Sequence, residues 1–319
     1  MSAKRRVRLV DIAEKCGVSV NTVSHALNDK DDISEETKAY IRKTADSMGY
    51  IHNSSASFMR SGKTKSIAII VGDISNPHFS IMIKEIESSA RKKGYTAFVL
   101  NTDENEKLEK DAIVTALSKN ADGIILCPVQ QTSNNIDFLI KSGVPFTLIG
   151  RRFNDRKTNY VVCDDIHSGY IAAKYVLDRN KDKIAVLNAP KHISSAKERL
   201  EGVRECFAEN NKKLNEKDIY TLDVSQTNHS ATINEIANKN YDAVICFSDI
   251  IALELLTCAN KDMDIVSFDN IVSKFPMPYK FKSITSSKTK MSHEAMDILL
   301  NAIDGETEIK EVVLPTKLS

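Results

Sequence analysis

Two sets of residues in this sequence have types and spacings that could do chemistry. The first lies near the front, where Ser19, Asn21, Thr22, Ser24 and His25 crowd short polar side chains into one stretch. Such groups suit phosphate oxygens and the donor and acceptor edges of bases in a major groove. The second set is scattered along the chain: Asp73, Ser75 and Asn76; Gln130 and Gln131; Arg151 and Arg152; Asp164 and Asp165; Ser248 and Asp249; Asp269 and Asn270. Each group follows an apolar run. Carboxylates, amides and guanidinium groups gathered at such positions suit hydrogen bonding to a small polar ligand such as a sugar.

The elements that must position the first set are short helices. From Val10 to Cys16, Ile12, Ala13 and Cys16 recur at helical spacing, and Gly17 permits a tight turn. Ser19 stands where a helix N-cap would, and Val20, Val23 and Leu27 form one face of a second helix that leaves Asn21, Thr22, Ser24 and His25 outward. Two helices joined at a glycine form a helix-turn-helix unit. After the loop Asn28 to Asp32, Ser34 caps a third helix with Glu35 and Glu36 in its first turn, and Gly49 ends it. The expected core of this head is Ile12, Val23, Leu27, Ile41, Ala45 and Tyr50.

The stretch from 51 to 65 is serine-rich and carries no core-sized apolar face. It reads as a linker whose short helix forms only when something holds it. Its Ser61-Gly62-Lys63-Thr64 is no phosphate loop, because position 57 is Ser and no strand precedes it.

From Ser66 onward apolar runs alternate with amphipathic stretches, which implies parallel sheets covered on both faces. About ten strands fall into two groups that divide near Asp164, so two doubly wound halves are expected. Ligands in such folds sit beyond the carboxyl ends of the strands. Two sheets with those ends facing each other would form a hinged cleft. The domains expected are therefore 1–50, a helix-turn-helix head; 51–65, a linker; and 66–319, a two-lobed α/β body.

Composition excludes several classes. The 319 residues are 42% hydrophobic and 27% charged, ordinary for a globular chain, with no apolar run near the ~20 residues of a membrane span. The basic start, MSAKRRVRLVDIAE, lacks the apolar region of a secretory signal, and the six cysteines form no C-x-x-C pair. A reduced, cytoplasmic protein is expected. Residues 1–65 carry twelve Lys and Arg against eight acids, whereas the whole chain is nearly balanced at +1. A basic head on a slightly acidic body suits a nucleic-acid module joined to something else. No G-x-S-x-G elbow, G-x-G-x-x-G loop or metal-spaced Cys/His cluster appears. His293-Glu294 begins a zinc-helix pattern, but position 297 is Asp. Neither a catalytic residue nor a cofactor or metal is expected. The competing class is a sugar-binding protein of a transport system, which would need a signal peptide or lipid anchor and has no use for Val20 to His25.

Taken together, the chain resembles the LacI/GalR family of bacterial transcription regulators along almost its whole length. The motif from Val7 to Asn28, with its V-D-I-A, C-G-V-S and T-V-S-x-A-L-N blocks, is the most specific feature. Gly49-Tyr50 followed by Asn53, Ala56 and Met59 resembles the family's hinge segment. Asp73 to Pro77, Ala121 to Ile125, Arg199 with Gly202, Ser248-Asp249 with Ala252, and Phe268 to Asn270 resemble its body motifs. The resemblance implies a body like that of periplasmic binding proteins. It assigns Val20, Asn21 and His25 to base reading, and Arg8, Ser19, Thr22, Ser24 and Asn28 to phosphates. Asn53, Ala56 and Met59 go to the minor groove, with Met59 as the apolar wedge. His78, Phe79, Arg199, Asp249 and Asp269 go to the effector. It further implies a homodimeric repressor on a roughly palindromic operator, switched by a sugar or sugar phosphate. A phosphoprotein corepressor stays open.

Four departures from the family pattern stand out. His52 replaces a common Pro, His25 a frequent Arg, and Ser286 a frequent Gln, while the connection Asn260 to Asp264 is short. Histidine lacks the two-pronged contact of Arg to guanine, so a different operator is expected. The chain ends soon after Leu314 without a heptad tail, which suggests a dimer rather than a tetramer.

Overall fold

The structure is a computed structural model. It describes residues 5–51, 62–226, 228–258, 263–271 and 281–319. Asn53, Ala56 and Met59 lie outside the described residues. The chain divides into two compact units, Met1–Thr64 and Lys65–Ser319.

The first unit contains helices α1 (Leu9–Cys16), α2 (Val20–Leu27) and α3 (Glu35–Met48). Gly17 and Gly49 end α1 and α3 at φ of 69° and 70°, left-handed values that cost glycine nothing. Ser19 and Ser34 cap α2 and α3 by accepting from the backbone N–H of Thr22 and Thr37. Ile12, Ala13, Val23, Ala26, Ile41 and Ala45 form the core, with Leu27 and Tyr50 packed partly against it. At roughly 1.5–3 kcal/mol for each large side chain buried, so small a core leaves little surplus. Asp29 in the loop after α2 takes Arg42 at 2.8 Å and Lys38 at 3.3 Å, fixing that loop on α3.

The second unit has two six-stranded sheets. The first comprises β1 (Ser66–Val71), β2 (Thr96–Asn101), β3 (Gly123–Leu126), β4 (Phe146–Ile149), β5 (Tyr160–Cys163) and β11 (Glu311–Leu314), in the order β11-β5-β4-β3-β1-β2 and parallel throughout. Its central strands are apolar on both faces, as helices on both sides require. Helices α4 (Pro77–Lys92) and α11 (Lys288–Ile303) pack on one face, and α5 (Glu106–Ser118) and α6 (Asn134–Ser142) on the other.

The second sheet comprises β6 (Ile184–Asn188), β7 (Ile219–Thr221), β8 (Ala243–Cys246), β9 (Asp264–Phe268), β10 (Lys282–Thr285) and β12 (Lys317–Leu318). The order is β12-β10-β9-β8-β6-β7, with β12 antiparallel at the edge. Helices α7 (Asp165–Leu177) and α8 (Ser194–Glu209) cover one face, α9 (Ser230–Asn238) and α10 (Asp249–Leu256) the other.

Two doubly wound halves are as the sequence implies, but the described residues form twelve strands rather than about ten, and the division near Asp164 is only the first of three crossings. The chain returns to the first lobe between β10 and α11, because Met291, Ala295, Met296 and Leu299 on α11 complete the first lobe's core. It crosses again between β11 and β12. At the crossings the Ser168 hydroxyl bonds to Thr316 Oγ1 at 3.0 Å and donates to the Asp164 carbonyl at 2.7 Å. Three chain crossings therefore connect the two lobes.

Candidate functional site

The carboxyl ends of both sheets face a cavity of about 540 Å³ within the second unit, inside the size range usual for small-molecule sites. Its first-lobe wall begins at the N-terminus of α4. There the Asn76 side chain accepts the His78 N–H at 2.9 Å and Pro77 presets the first turn, so His78 and Phe79 meet the cavity. Phe79 is also part of the first lobe's core. Arg151, after β4, is held by Glu104 through two bonds of 2.7 and 2.8 Å, both side chains nearly buried.

From the second lobe come Arg199 on α8 and Asp269 after β9. Arg199 gives Nε to Asp165 at 2.8 Å and Nη1 to the Phe247 carbonyl at 2.9 Å, and its Cζ lies 4.3 Å from the Phe268 ring centre. Its Nη2 is 4.0 Å from Asp269. Burial opposes the guanidinium charge, but Asp165 and Asp269 outweigh it and raise its basicity.

Asp269 has φ of 96° and Asn270 φ of 47°, conformations that cost a non-glycine residue about 1–3 kcal/mol where it is over-determined by its surroundings. They persist because the Asp269 N–H donates to the Ile284 carbonyl at 3.0 Å and the Asn270 N–H to Ser283 Oγ at 2.8 Å, while Lys288 Nζ donates to the Asp269 carbonyl. Burial would neutralise the Asp269 carboxyl. The charges of His78, Arg199 and Lys288 prevail and hold it below its ordinary range. His78 Nδ1 lies 3.3 Å from Asp269 Oδ1, yet makes no hydrogen bond. Burial pushes the His78 imidazole down to about 4 against the pull of Asp269.

Four of the five expected effector residues therefore meet in one cavity: His78, Phe79, Arg199 and Asp269. Asp249 does not line it. Its side chain is fully buried and accepts from Ser267 Oγ, from Ser283 Oγ at 2.7 Å and from the Ile271 N–H at 2.8 Å. Burial, with the Asp269 charge added, pushes its carboxyl up to about 6 against those hydrogen bonds. Asp249 braces the strand ends that carry Asp269, and the expectation of a direct effector contact is corrected on that ground. Sequence reasoning missed Glu104, Lys288, His229 and Glu254, which also line the cavity. None sits in a periodic pattern that would mark it.

In the first unit Val20 is 43% exposed, Arg8, Ser19 and Asn21 are exposed, and Thr22, His25 and Asn28 are half-buried. Ser24 is only 7% exposed, which corrects its expected outward placement. It lies beside Val23 and one turn from Leu27, where a small side chain tucks under the helix. Asn28 turns its amide back onto the Ser24 carbonyl at 2.5 Å. Ser19 Oγ bonds to Thr22 Oγ1 at 2.8 Å.

Among the described residues no helix is long and apolar enough to cross a membrane, and no group of three or more His, Cys, Asp or Glu residues could hold a metal ion. Comparison with known proteins fits this geometry. Residues 8–53 match the bacterial regulatory proteins of the lacI family, and residues 64–298 match the periplasmic binding proteins and sugar binding domain of the LacI family. The HTH-type transcriptional repressor PurR of Glaesserella parasuis serovar 5 is 26% identical over 308 residues, covering 93% of this chain and 90% of the relative. The lac repressor dimer bound to operator and the anti-inducer ONPF shares the fold at a TM-score of 0.84, with 19% identity and 98% of each chain covered. The transcriptional regulator CelR–cellobiose complex does so at 0.72, with 21% identity and 98% of each chain covered. With both units matched, and the larger match spanning most of the sequence, the chain belongs to the LacI family of bacterial DNA-binding transcriptional regulators.

Proposed function

We propose that this protein is a cytoplasmic homodimeric repressor. It binds a roughly palindromic operator and is switched by an unphosphorylated polyhydroxyl effector, a sugar or close relative. Val20, Asn21 and His25 read bases, while Arg8, Ser19 and Thr22 hold phosphates. The linker from 51 to 65 enters the minor groove through Asn53, Ala56 and Met59. Two heads on a two-fold axis read half-sites about one helical turn apart, supplying specificity that one head lacks.

The observation that carries the reading is the cavity. His78 and Phe79 from one lobe, and Arg199 and Asp269 from the other, converge across a three-segment hinge. A ligand that touches both walls binds one lobe angle better than another. That differential affinity is what a switch requires. The lining favours a ligand without a phosphate. Arg151 is matched by Glu104 and Arg199 by Asp165, while Lys288 is turned onto a backbone carbonyl. A phosphate would have to displace a carboxylate already in place, whereas hydroxyls can donate to Asp269 and accept from Arg199. The cellobiose complex of a structural neighbour favours the same ligand class. The match of residues 8–53 disfavours the transport reading.

Selection of bound DNA from a random pool, followed by titration with sugars and their phosphate esters, tests the proposal. A symmetric enriched site whose affinity shifts with one neutral sugar is expected. Tight sugar binding with no enriched site would overturn it and restore the solute-binding reading.

A further inference from the structure

His25 is the residue of α2 at which this chain departs from the family's frequent arginine, and it does not stand alone. Its Nδ1 lies 2.6 Å from Oδ2 of Asp32, in the loop between α2 and α3. Asp29, in the same loop, is engaged by Lys38 and Arg42 instead. The Asp32 side chain is more than half exposed, and that of His25 about a third. An exposed carboxylate beside a helix meant for phosphate-rich DNA weakens binding. Its presence there therefore calls for a positional task.

We infer that Asp32 is a positioning residue that fixes the tautomer of His25 and so sets which base His25 reads. The step follows from donor and acceptor counting. An ionised carboxylate only accepts, so the nitrogen 2.6 Å away must carry the proton. With Nδ1–H committed to Asp32, the neutral ring presents Nε2 as a bare acceptor. In the major groove an acceptor is satisfied by the amino groups of adenine N6 or cytosine N4, and is opposed by the keto oxygens of guanine and thymine. The expected reading is an amino base over a keto base on the strand that His25 faces. An arginine at this position would favour the reverse, a guanine. Without Asp32 the ring is free to move its proton to Nε2, which can then donate to a keto base, and the distinction blurs.

The inference rests on the base-reading role proposed for α2. The test is base-resolved selection from a random pool with the full-length protein at pH 8.5, on the alkaline side of the range in which histidine usually titrates. Four proteins are compared: wild type, His25→Ala, Asp32→Ala and Asp32→Asn. In wild type one symmetric pair of positions should favour amino bases by about fivefold, the scale of a single hydrogen bond. His25→Ala and Asp32→Ala should each reduce that preference to under about twofold, leaving the other positions intact. Asp32→Asn keeps a carbonyl that can accept Nδ1–H and should retain most of it. Both Asp32 variants lose the same charge and should gain non-specific affinity alike, which separates the electrostatic effect from the tautomer effect.

An Asp32→Ala profile identical to wild type would overturn the inference. So would a keto preference at the His25-dependent position, or Asp32→Asn behaving like Asp32→Ala. Each of these leaves the DNA-reading role standing if a symmetric site is still enriched. No enriched site with any of the four proteins would overturn the base-reading role and the inference together.

Discussion

Arg199 and Asp165 meet at 2.8 Å because α7 and α8 lie backbone against backbone. A Cβ on Gly169 would come within 1.9 Å of the Arg199 carbonyl oxygen, and one on Gly202 within 1.8 Å of the Ile166 carbonyl oxygen. Both obstacles are rigid main chain, so no side chain can swing aside. The glycines set the helix separation, the separation sets the ion pair, and the ion pair orients the guanidinium toward Asp269.

Alanine at Gly202 should therefore force the helices apart. We expect a loss of about 3 kcal/mol in unfolding free energy, at the upper end for overpacking, together with weakened effector binding. Urea denaturation of the wild type and Gly202→Ala measures the first, and calorimetric titration with the effector the second. A loss below about 1 kcal/mol would mean that the helices accommodate a methyl group and that their contact does not fix Arg199.

Asp269→Ala tests the cavity directly. The Asp269 carboxylate is charged and nearly buried, and the nearest guanidinium nitrogen, Arg199 Nη2, stands 4.0 Å away. It has acceptor capacity to spare for ligand hydroxyls, and hydrogen bonds to a charged group are worth about 1.5–3 kcal/mol. Effector affinity should fall at least about tenfold and the DNA response should disappear, while operator binding without effector is unchanged. A persisting response would place the effector elsewhere.

The sequence displays some of this site and conceals the rest for identifiable reasons. Helix and strand periodicity exposes the three head helices and the alternating body, because burial of one face repeats along the chain. It says which face is buried and not which sheet does the burying. The return of α11 to the first lobe is therefore invisible in the sequence. The family resemblance assigns Asp249 to the effector, and its place just after a strand agrees with that assignment. Its partners Ser267 and Ser283 point inward from two strands whose other inward residues are apolar, and an inward serine hints at a buried polar atom without naming it. Gly72 carries a similar hint. A Cβ there would reach 2.2 Å from Glu104 Oε1, so the glycine announces a close neighbour, but only the fold identifies Glu104 and, behind it, Arg151.

His78 should give stability a measurable pH dependence. Its folded imidazole is pushed down to about 4 from an ordinary value of 6.5. Between those values the unfolded chain binds a proton that the folded chain does not. The His78 contribution is therefore fully present above pH 6.5 and is lost as pH falls toward 4. Its size is about 2 kcal/mol after allowance for partial exposure in the open cleft. Asp249 works in the opposite sense, since a raised carboxyl favours the folded state as pH falls through 6. The two are separated by comparing wild type with His78→Gln across pH 4 to 7. Wild type should lose ground to the variant as the solution is acidified, and parallel curves would show that His78 is solvated like any surface histidine.

Met59 is the residue on which the proposed minor-groove contact turns. Pushing an apolar side chain between base steps costs a few kcal/mol of stacking, offset by the contacts that the resulting bend allows. That exchange is possible only on a site where both half-site heads are docked. Non-specific binding, dominated by phosphate charge, does not draw on it. Met59→Gly removes the proposed wedge. Specific affinity should fall by at least about tenfold while non-specific affinity stays within about twofold, and the salt dependence of both should keep its slope because no cation is removed. Gel-shift titrations on an operator and on a scrambled duplex at two salt concentrations measure all three quantities. Equal losses on both duplexes would mean that Met59 supports the protein's own fold, and the minor-groove role would pass to Asn53 and Ala56 without a wedge.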